Sequence, residues 1–86
     1  MIHIFKGDID TLSGQYIIVA DAFATGTLPT GIGGNRYLII GDASLTDTGL
    51  RYGIQMAISF GSNKIAIRNA DYNGEGKGKY SAWRYI

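Results

Sequence analysis

The chain has 86 residues, enough for one small domain that buries only about 60% of the surface exposed by its unfolded chain. Without cysteine and with a single histidine, it has neither disulfides nor the usual structural zinc ligands. A net charge of +1 provides no basic patch for nucleic acid or an anionic membrane. We therefore expect a single domain over residues 1–86 with no nucleic-acid partner, no membrane insertion, no metal and no cofactor.

Short apolar segments alternate with clusters of Gly, Asn, Asp, Ser and Thr, which is typical of an all-β domain. In chain order, the predicted strands are a short one at 2–5, then 15–20, 36–40, 54–60, 64–69 and 80–86. Gly14, just before the second strand, is expected to need a positive φ. Pro29 is placed in a loop, where its missing N–H costs no ladder hydrogen bond. The pattern predicts a small antiparallel β-sheet or sandwich with long loops.

The fourth and fifth predicted strands permit a register prediction. Apolar residues alternate on both, and pairing residues whose numbers sum to 125 sets Ile58 opposite Ile67. The other face then carries Gln55 diagonal to Arg68, and we expect it to be polar and solvated. Gln55 and Arg68 indicate a cross-strand hydrogen bond, with contact to a sugar hydroxyl as the alternative.

Residues 16–20 and 37–40 are apolar on both faces of their predicted strands. In a chain too small for two cores, another copy of the chain is the economical cover for the second face, so the pattern favours self-association. The alternative is that one of these faces lies beneath the long loops.

Catalytic chemistry has little support in the sequence. His3 has no carboxylate at a suggestive spacing, and the chain has a single glutamate. A glycosidase needs two carboxylates, and the candidates are Asp8, Asp10, Asp42, Asp47, Asp71 and Glu75. Most of these acids stand in turn sequences, where their ordinary role is to cap the turn. We predict that the chain is not an enzyme.

The segment at 71–79 resembles two ion-binding loops but fits neither. Residues 71–75 place oxygens at alternate positions, yet lack the length and closing glutamate of an EF-hand. Residues 74–79 miss the spacing of a phosphate-binding loop. We interpret the segment as a tip loop whose Lys77 and Lys79 approach anionic surface polymers.

Four clusters follow one another at a characteristic spacing. They are Gly14-x-Tyr16 within 10–16, the Pro29 loop running into 37–40, Gln55 and Arg68 within 52–68, and Ser81-x-Trp83-Arg84 near the end. Together they resemble the knob domain at the C-terminal tip of phage tail fibres and R-type pyocin fibres, over roughly residues 8–86. The segments 43–52 and 71–79 are longer than that pattern.

The resemblance implies a non-catalytic receptor-binding tip that attaches to bacterial cell-surface glycan. Its partners would be two further copies of itself in a homotrimer, the rest of the tail fibre and a cell-surface polysaccharide. The chain would be the C-terminal part of a longer fibre protein, made in the bacterial cytoplasm and carried on a virion or phage-like particle. The alternative function is a structural trimerisation or docking module of a tail or baseplate with no host ligand.

Groups that hold sugars are aromatic faces and planar amide, carboxylate or guanidinium groups that fork onto adjacent hydroxyls. In the predicted loops these are Asn35, Asp42, Asp47, Arg51, Tyr52, Asp71, Tyr72 and Asn73. We expect the loops at 43–52 and 71–79 to form one end of the domain and to bind the ligand. Trp83 is expected in the core or an interface, with a sugar-stacking platform as the alternative.

Overall fold

A computed structural model describes residues 2–70 and 78–86. Its strands are β1 (His3–Phe5), β2 (Gly14–Ala20), β3 (Tyr37–Thr46), β4 (Gly49–Ser59), β5 (Ile65–Ala70) and β6 (Arg84–Tyr85). They form one six-stranded sheet in chain order, with two short 3-10 helices, η1 (Ile9–Thr11) and η2 (Thr30–Ile32). The all-β prediction is confirmed, and no helix in these two ranges has the length and apolarity needed to cross a bilayer.

The sheet is mixed. Strands β2 to β6 pair antiparallel with their neighbours, but β1 runs parallel to β2, so the prediction of a wholly antiparallel sheet is wrong. Parallel neighbours need a crossover connection. Residues 6–13 supply it by returning the chain to the start of β2, which then runs in the direction of β1.

The predicted loop at 43–52 is instead the far half of the β3–β4 hairpin. The two strands stay paired as far as Thr46 opposite Gly49, leaving a two-residue connection. A register shift between Asp42 and Ser44 marks a bulge, which lets pairing continue through a stretch where the alternation of apolar residues is lost. The last predicted strand, at 80–86, is shorter than expected and is reduced to β6.

The β4–β5 hairpin has the predicted parity but a different alignment. Paired residues sum to 123, so Ile58 faces Ile65 and Gln55 lies directly opposite Arg68. The predicted sum of 125 is wrong because the end of β4 is held by another part of the chain. Ser59 Oγ donates to the Gly33 carbonyl oxygen at 3.0 Å, and the Phe60 N–H donates to the Arg36 carbonyl oxygen at 2.9 Å.

One face of the sheet, here called the covered face, packs against η1, η2 and the segments around them. Its buried apolar cluster comprises Ile9, Ile18, Ala20, Ala24, Ile32, Tyr37, Ile39, Ala57, Ala66 and Trp83. Gln55 and Arg68 lie on this face with exposed fractions of 0% and 2%. The prediction of a solvated face is therefore wrong, because the overlying loops bury these side chains and provide hydrogen-bond partners.

The opposite face, here called the open face, is apolar over two adjacent rows that cross the strands. It carries Ile4, Ile17, Val19, Leu38, Ile40, Met56, Ile58, Ile65 and Ile67, with Ile54 at its margin. Most of these side chains are partly exposed, and Ile17 and Ile54 each keep 46% of their surface accessible. The two-faced apolar runs at 16–20 and 37–40 thus have one face under loops and the other uncovered in the single chain.

Candidate functional site

A row of four residues crosses the covered face from β2 to β5: Tyr16, Gly41, Gln55 and Arg68. The glycine is required by packing, because a Cβ at position 41 would collide with the Tyr16 ring. The ring therefore lies across β3, and its hydroxyl accepts a hydrogen bond from Gln55 Nε2 at 2.9 Å. Gln55 Oε1 accepts from Arg68 Nε at 2.8 Å, which confirms the predicted hydrogen bond between these strands.

The Arg68 guanidinium is the centre of this polar cluster. It contacts two aromatic rings, with its Cζ 4.4 Å from the Trp83 ring centroid and 4.7 Å from that of Tyr80. Its Nη2 donates to Asp10 Oδ1 at 2.6 Å, so the buried positive charge is paired with a carboxylate. Because a buried charge without a partner costs several kcal/mol, roughly, this ion pair ties η1 to β5.

Trp83 joins the C-terminal segment to the loop before η2. Its exposed fraction is 8%, and its Nε1 donates to the Thr27 carbonyl oxygen at 2.7 Å. The expected core position is confirmed. Tyr80 is also buried, and its hydroxyl lies 3.1 Å from the Tyr16 hydroxyl and donates to the Leu12 carbonyl oxygen at 3.0 Å.

Two ionisable groups of the cluster are shifted by their surroundings. Partial burial raises the pKa of Asp10, but hydrogen bonds from Arg68 and Thr27 outweigh it and hold that pKa below its ordinary value of 3.8. Burial, together with the hydrogen bond to Tyr16, raises the pKa of the Tyr80 hydroxyl far above its ordinary value. Asp10 is therefore ionised and Tyr80 neutral at pH 7.

A notch of about 250 Å³ opens beside this cluster. Its walls come from η1, the loop before η2, β5 and the C-terminal segment: Asp10, Thr27, Arg68, Lys79, Tyr80, Ser81 and Ala82. Sequence reasoning missed it, because its charged side chains are spread over 70 positions of the chain. Asp10, Arg68 and Lys79 each appeared in a cluster or loop of interest, but no spacing rule joins them.

The structure brings together some of the predicted ligand-binding residues. Asp47, Arg51 and Tyr52 lie on the far half of the β3–β4 hairpin, while Asp42 lies on the open-face side of β3, where it accepts from Gln15 Nε2 at 3.4 Å. The far half of the hairpin, residues 43–52, is here called the hairpin end. Asn35 precedes the opposite end of β3 and is separated from the hairpin end. Asp71, Tyr72 and Asn73 lie outside the described residues.

The hairpin end meets the C-terminal segment where the Leu50 N–H donates to the Gly78 carbonyl oxygen at 2.9 Å. Gly78, at the described end of the segment at 71–79, therefore adjoins the far half of the hairpin. Lys79 follows directly and belongs to the notch.

Tyr52 is the exposed aromatic residue of this hairpin end. Its φ is +50°, a left-handed conformation that costs a residue with a Cβ roughly 1–2 kcal/mol, and the residue is 72% exposed. The Arg51 guanidinium lies 4.7 Å from the ring centroid, and its Nη2 donates to the Tyr52 hydroxyl at 3.2 Å. The left-handed backbone belongs to the β-bulge, because Tyr52 and Gly53 together oppose Ala43, and bulges that re-aim a side chain are over-represented next to functional sites.

Within residues 2–70 and 78–86 no three His, Asp or Glu side chains gather as a metal site requires. Asp8 instead caps η1, accepting from the Asp10 N–H at 2.8 Å.

Comparison of the chain with protein-family models, curated proteins and solved structures found no match.

Proposed function

We propose that the chain is a non-catalytic receptor-binding tip of a phage or phage-like tail fibre, assembled as a homotrimer and attaching to bacterial cell-surface glycan. The observation that carries the binding role is Tyr52, a strained and exposed aromatic side chain stacked with Arg51 at the end of the longest hairpin. Aromatic rings and guanidinium groups are the side chains that sugars contact.

The residues behind the resemblance to fibre knobs also support the proposal. Tyr16, Gln55, Arg68 and Trp83 are far apart in the sequence, but they meet in one cluster that holds the loops against the sheet. In this chain the cluster depends on all four residues, because each is bound to another by a hydrogen bond or a ring contact. In this proposal the cluster is a structural core, and ligand specificity would reside in the hairpin end.

The trimer is the part of the proposal that the open face supports. Among its ten apolar side chains, Ile4, Ile17 and Ile54 each keep 40% or more of their surface exposed in a single chain, and a contiguous exposed apolar patch is usually an interaction site. A standard interface buries about 800 Å² per partner. The occupant we assign is two further copies of the chain, arranged so that each open face packs between its two neighbours around a threefold axis and excludes water from its apolar side chains.

Weak glycan sites become effective when they are repeated. Three hairpin ends at one fibre tip would raise the avidity for a cell surface by roughly 10² or more without new contacts. A shallow exposed site such as the one at Tyr52 is therefore sufficient for attachment only in the assembled tip. Trimerisation and attachment are coupled in this proposal.

The structural module without a host ligand is the second candidate, and the open face favours it equally. Light scattering combined with binding of fluorescent protein to a panel of bacteria separates the two. We expect a trimer of 86-residue chains that labels cells and is displaced by the purified surface polysaccharide of those cells. A trimer that labels no cells would indicate the structural module, and a stable monomer would refute the assembly.

A further inference from the structure

Among the described residues, the notch beside Arg68 has more positive charge than their contacts neutralise. Arg68 and Lys79 both line it, while Asp10 is its one acidic side chain among the described residues. Asp10 is already paired with Arg68. The ammonium of Lys79, an exposed residue, is therefore the surplus charge at the rim.

Arg68 also has hydrogen-bonding capacity left over. Its Nε donates to Gln55 and its Nη2 to Asp10, whereas Nη1 has no acceptor in the part of the chain that the structure describes. A guanidinium carries five N–H donors, so those on Nη1 are left for solvent or for a ligand acceptor. Only 2% of Arg68 is exposed, and that residue forms part of the notch wall, so a ligand acceptor can reach it only through the notch.

Asp10 offers the complementary group. Its carboxylate accepts from Arg68 Nη2, from the Thr27 N–H and from the Thr27 hydroxyl, the last two at 3.0 Å. A carboxylate has about four acceptor positions, so roughly one remains. About a third of the Asp10 side chain is exposed, which leaves that position accessible to a ligand hydroxyl.

The notch is also small. Its volume of about 250 Å³ lies below the roughly 300–1,000 Å³ of a pocket for a drug-sized molecule, and it suits one sugar ring. We propose that the notch binds a single anionic sugar residue, with its carboxylate or phosphate group on Lys79 and Arg68 and a ring hydroxyl on Asp10. As a site for surface glycan this rests on the proposed function, and it is separate from the hairpin end.

The test is a titration of ¹⁵N-labelled protein with three probes: D-glucuronate, D-glucose 6-phosphate and neutral D-glucose. The reporters are the amide of Thr27, which lines the notch, and the Trp83 indole N–H, which donates to the Thr27 carbonyl oxygen. We expect at least one anionic probe to shift both signals with a Kd of about 1 mM, as a ligand of this size allows, and glucose to bind roughly tenfold more weakly. The two anionic probes distinguish a carboxylated sugar from a phosphorylated one.

The variant Lys79→Gln should weaken anionic-probe binding roughly fivefold or more, and Lys79→Arg should restore it. Lys64→Gln, an exposed lysine in the β4–β5 connection, is the matched control and should leave binding unchanged. Equal binding of glucose and the anionic probes, or shifts unaffected by Lys79→Gln, would overturn the site.

The two proposals fail in different ways. If fluorescent protein labels cells but none of the sugars shifts the notch signals, the notch assignment is wrong and the receptor-binding function stands. If an anionic sugar binds at the notch but the trimer labels no cells, the site stands and the receptor-binding function fails.

Discussion

The two faces of the sheet reverse the usual distribution of side chains. The covered face buries an arginine and a glutamine, whereas the open face leaves isoleucines partly exposed. Gln55 is fully buried because it donates to the Ile9 carbonyl oxygen at 2.9 Å and bonds Tyr16 and Arg68 as well. Ile17 remains 46% exposed because no described loop crosses it.

The comparison shows that hydrogen-bonding partners, rather than polarity alone, decide which face is buried. A polar side chain is tolerated inside when each of its groups is paired, and an ion pair is tolerated when both charges are held. An exposed apolar face is tolerated when another surface covers it. The covered face is complete within one chain, and in our proposal a second surface, that of further copies, covers the open face.

The largest expected effect tests the covered face. Trp83→Ala removes the ring against Arg68 and the hydrogen bond to Thr27, and should lower the free energy of unfolding by about 3–5 kcal/mol, most of the stability of a small domain. Denaturant unfolding followed by circular dichroism measures the loss. Trp83→Phe keeps a ring and should cost only about 1–2 kcal/mol. A stable Trp83→Ala variant that has lost cell attachment alone would make the indole a sugar platform.

The next effect tests the open face. Ile17→Glu would place an unpaired carboxylate in the proposed interface, at a cost on the order of several kcal/mol, and should dissociate the trimer while the single chain stays folded. Ile17 suits this test better than Val19, which is only 8% exposed even in one chain. Size-exclusion chromatography with light scattering is the measurement, and Ser13→Glu adds the same charge at an exposed site outside the face. An Ile17→Glu trimer would move the interface elsewhere.

The ion pair of the covered face predicts a specific acid sensitivity. The folded-state pKa of Asp10 lies below its ordinary value of 3.8, so the stability it contributes is present above about pH 4 and is lost as pH falls through the lowered value. Asp10→Asn should lower the free energy of unfolding by about 2 kcal/mol at pH 7, a cost moderated by the partial exposure of the carboxylate. As pH falls below 4, this variant should lose less stability than the original chain does. Urea unfolding at several pH values tests this, with the exposed Asp47→Asn as control. An unchanged acid profile in Asp10→Asn would contradict it.

The smallest effect on stability concerns the hairpin end. Tyr52→Gly relieves the left-handed strain and should leave stability unchanged or raise it by about 1 kcal/mol, while reducing attachment to cells. Asp47→Ala should stay within about 0.5 kcal/mol of the original stability and also reduce attachment. Tyr72→Ala is expected to behave in the same way, at a position outside the described residues. Undiminished attachment by Tyr52→Gly would leave the strain without a binding role.

Much of the fold was predictable from local pattern. The alternation in the fourth and fifth strands gave the correct parity of their pairing, and Gly14 has the expected positive φ of 73°. The alignment of that pair was missed by two residues, because the bond between Ser59 and Gly33 joins segments that no local pattern connects. The candidate hairpin end was predicted as a loop, since polar residues around the bulge at Asp42 hide the continuing pairing.

The amino-acid sequence by itself determined the all-β class, the segments that become the central strands and the division of each strand into two sets of side chains. A side-chain period of two separates these sets but does not say which of them the loops cover. Only the tertiary structure decided that the face with Gln55 and Arg68 is buried, because their partners Ile9 and Asp10 come from η1, more than 40 positions earlier in the chain. The notch exists for the same reason: its charges meet only once the loops have folded onto the sheet.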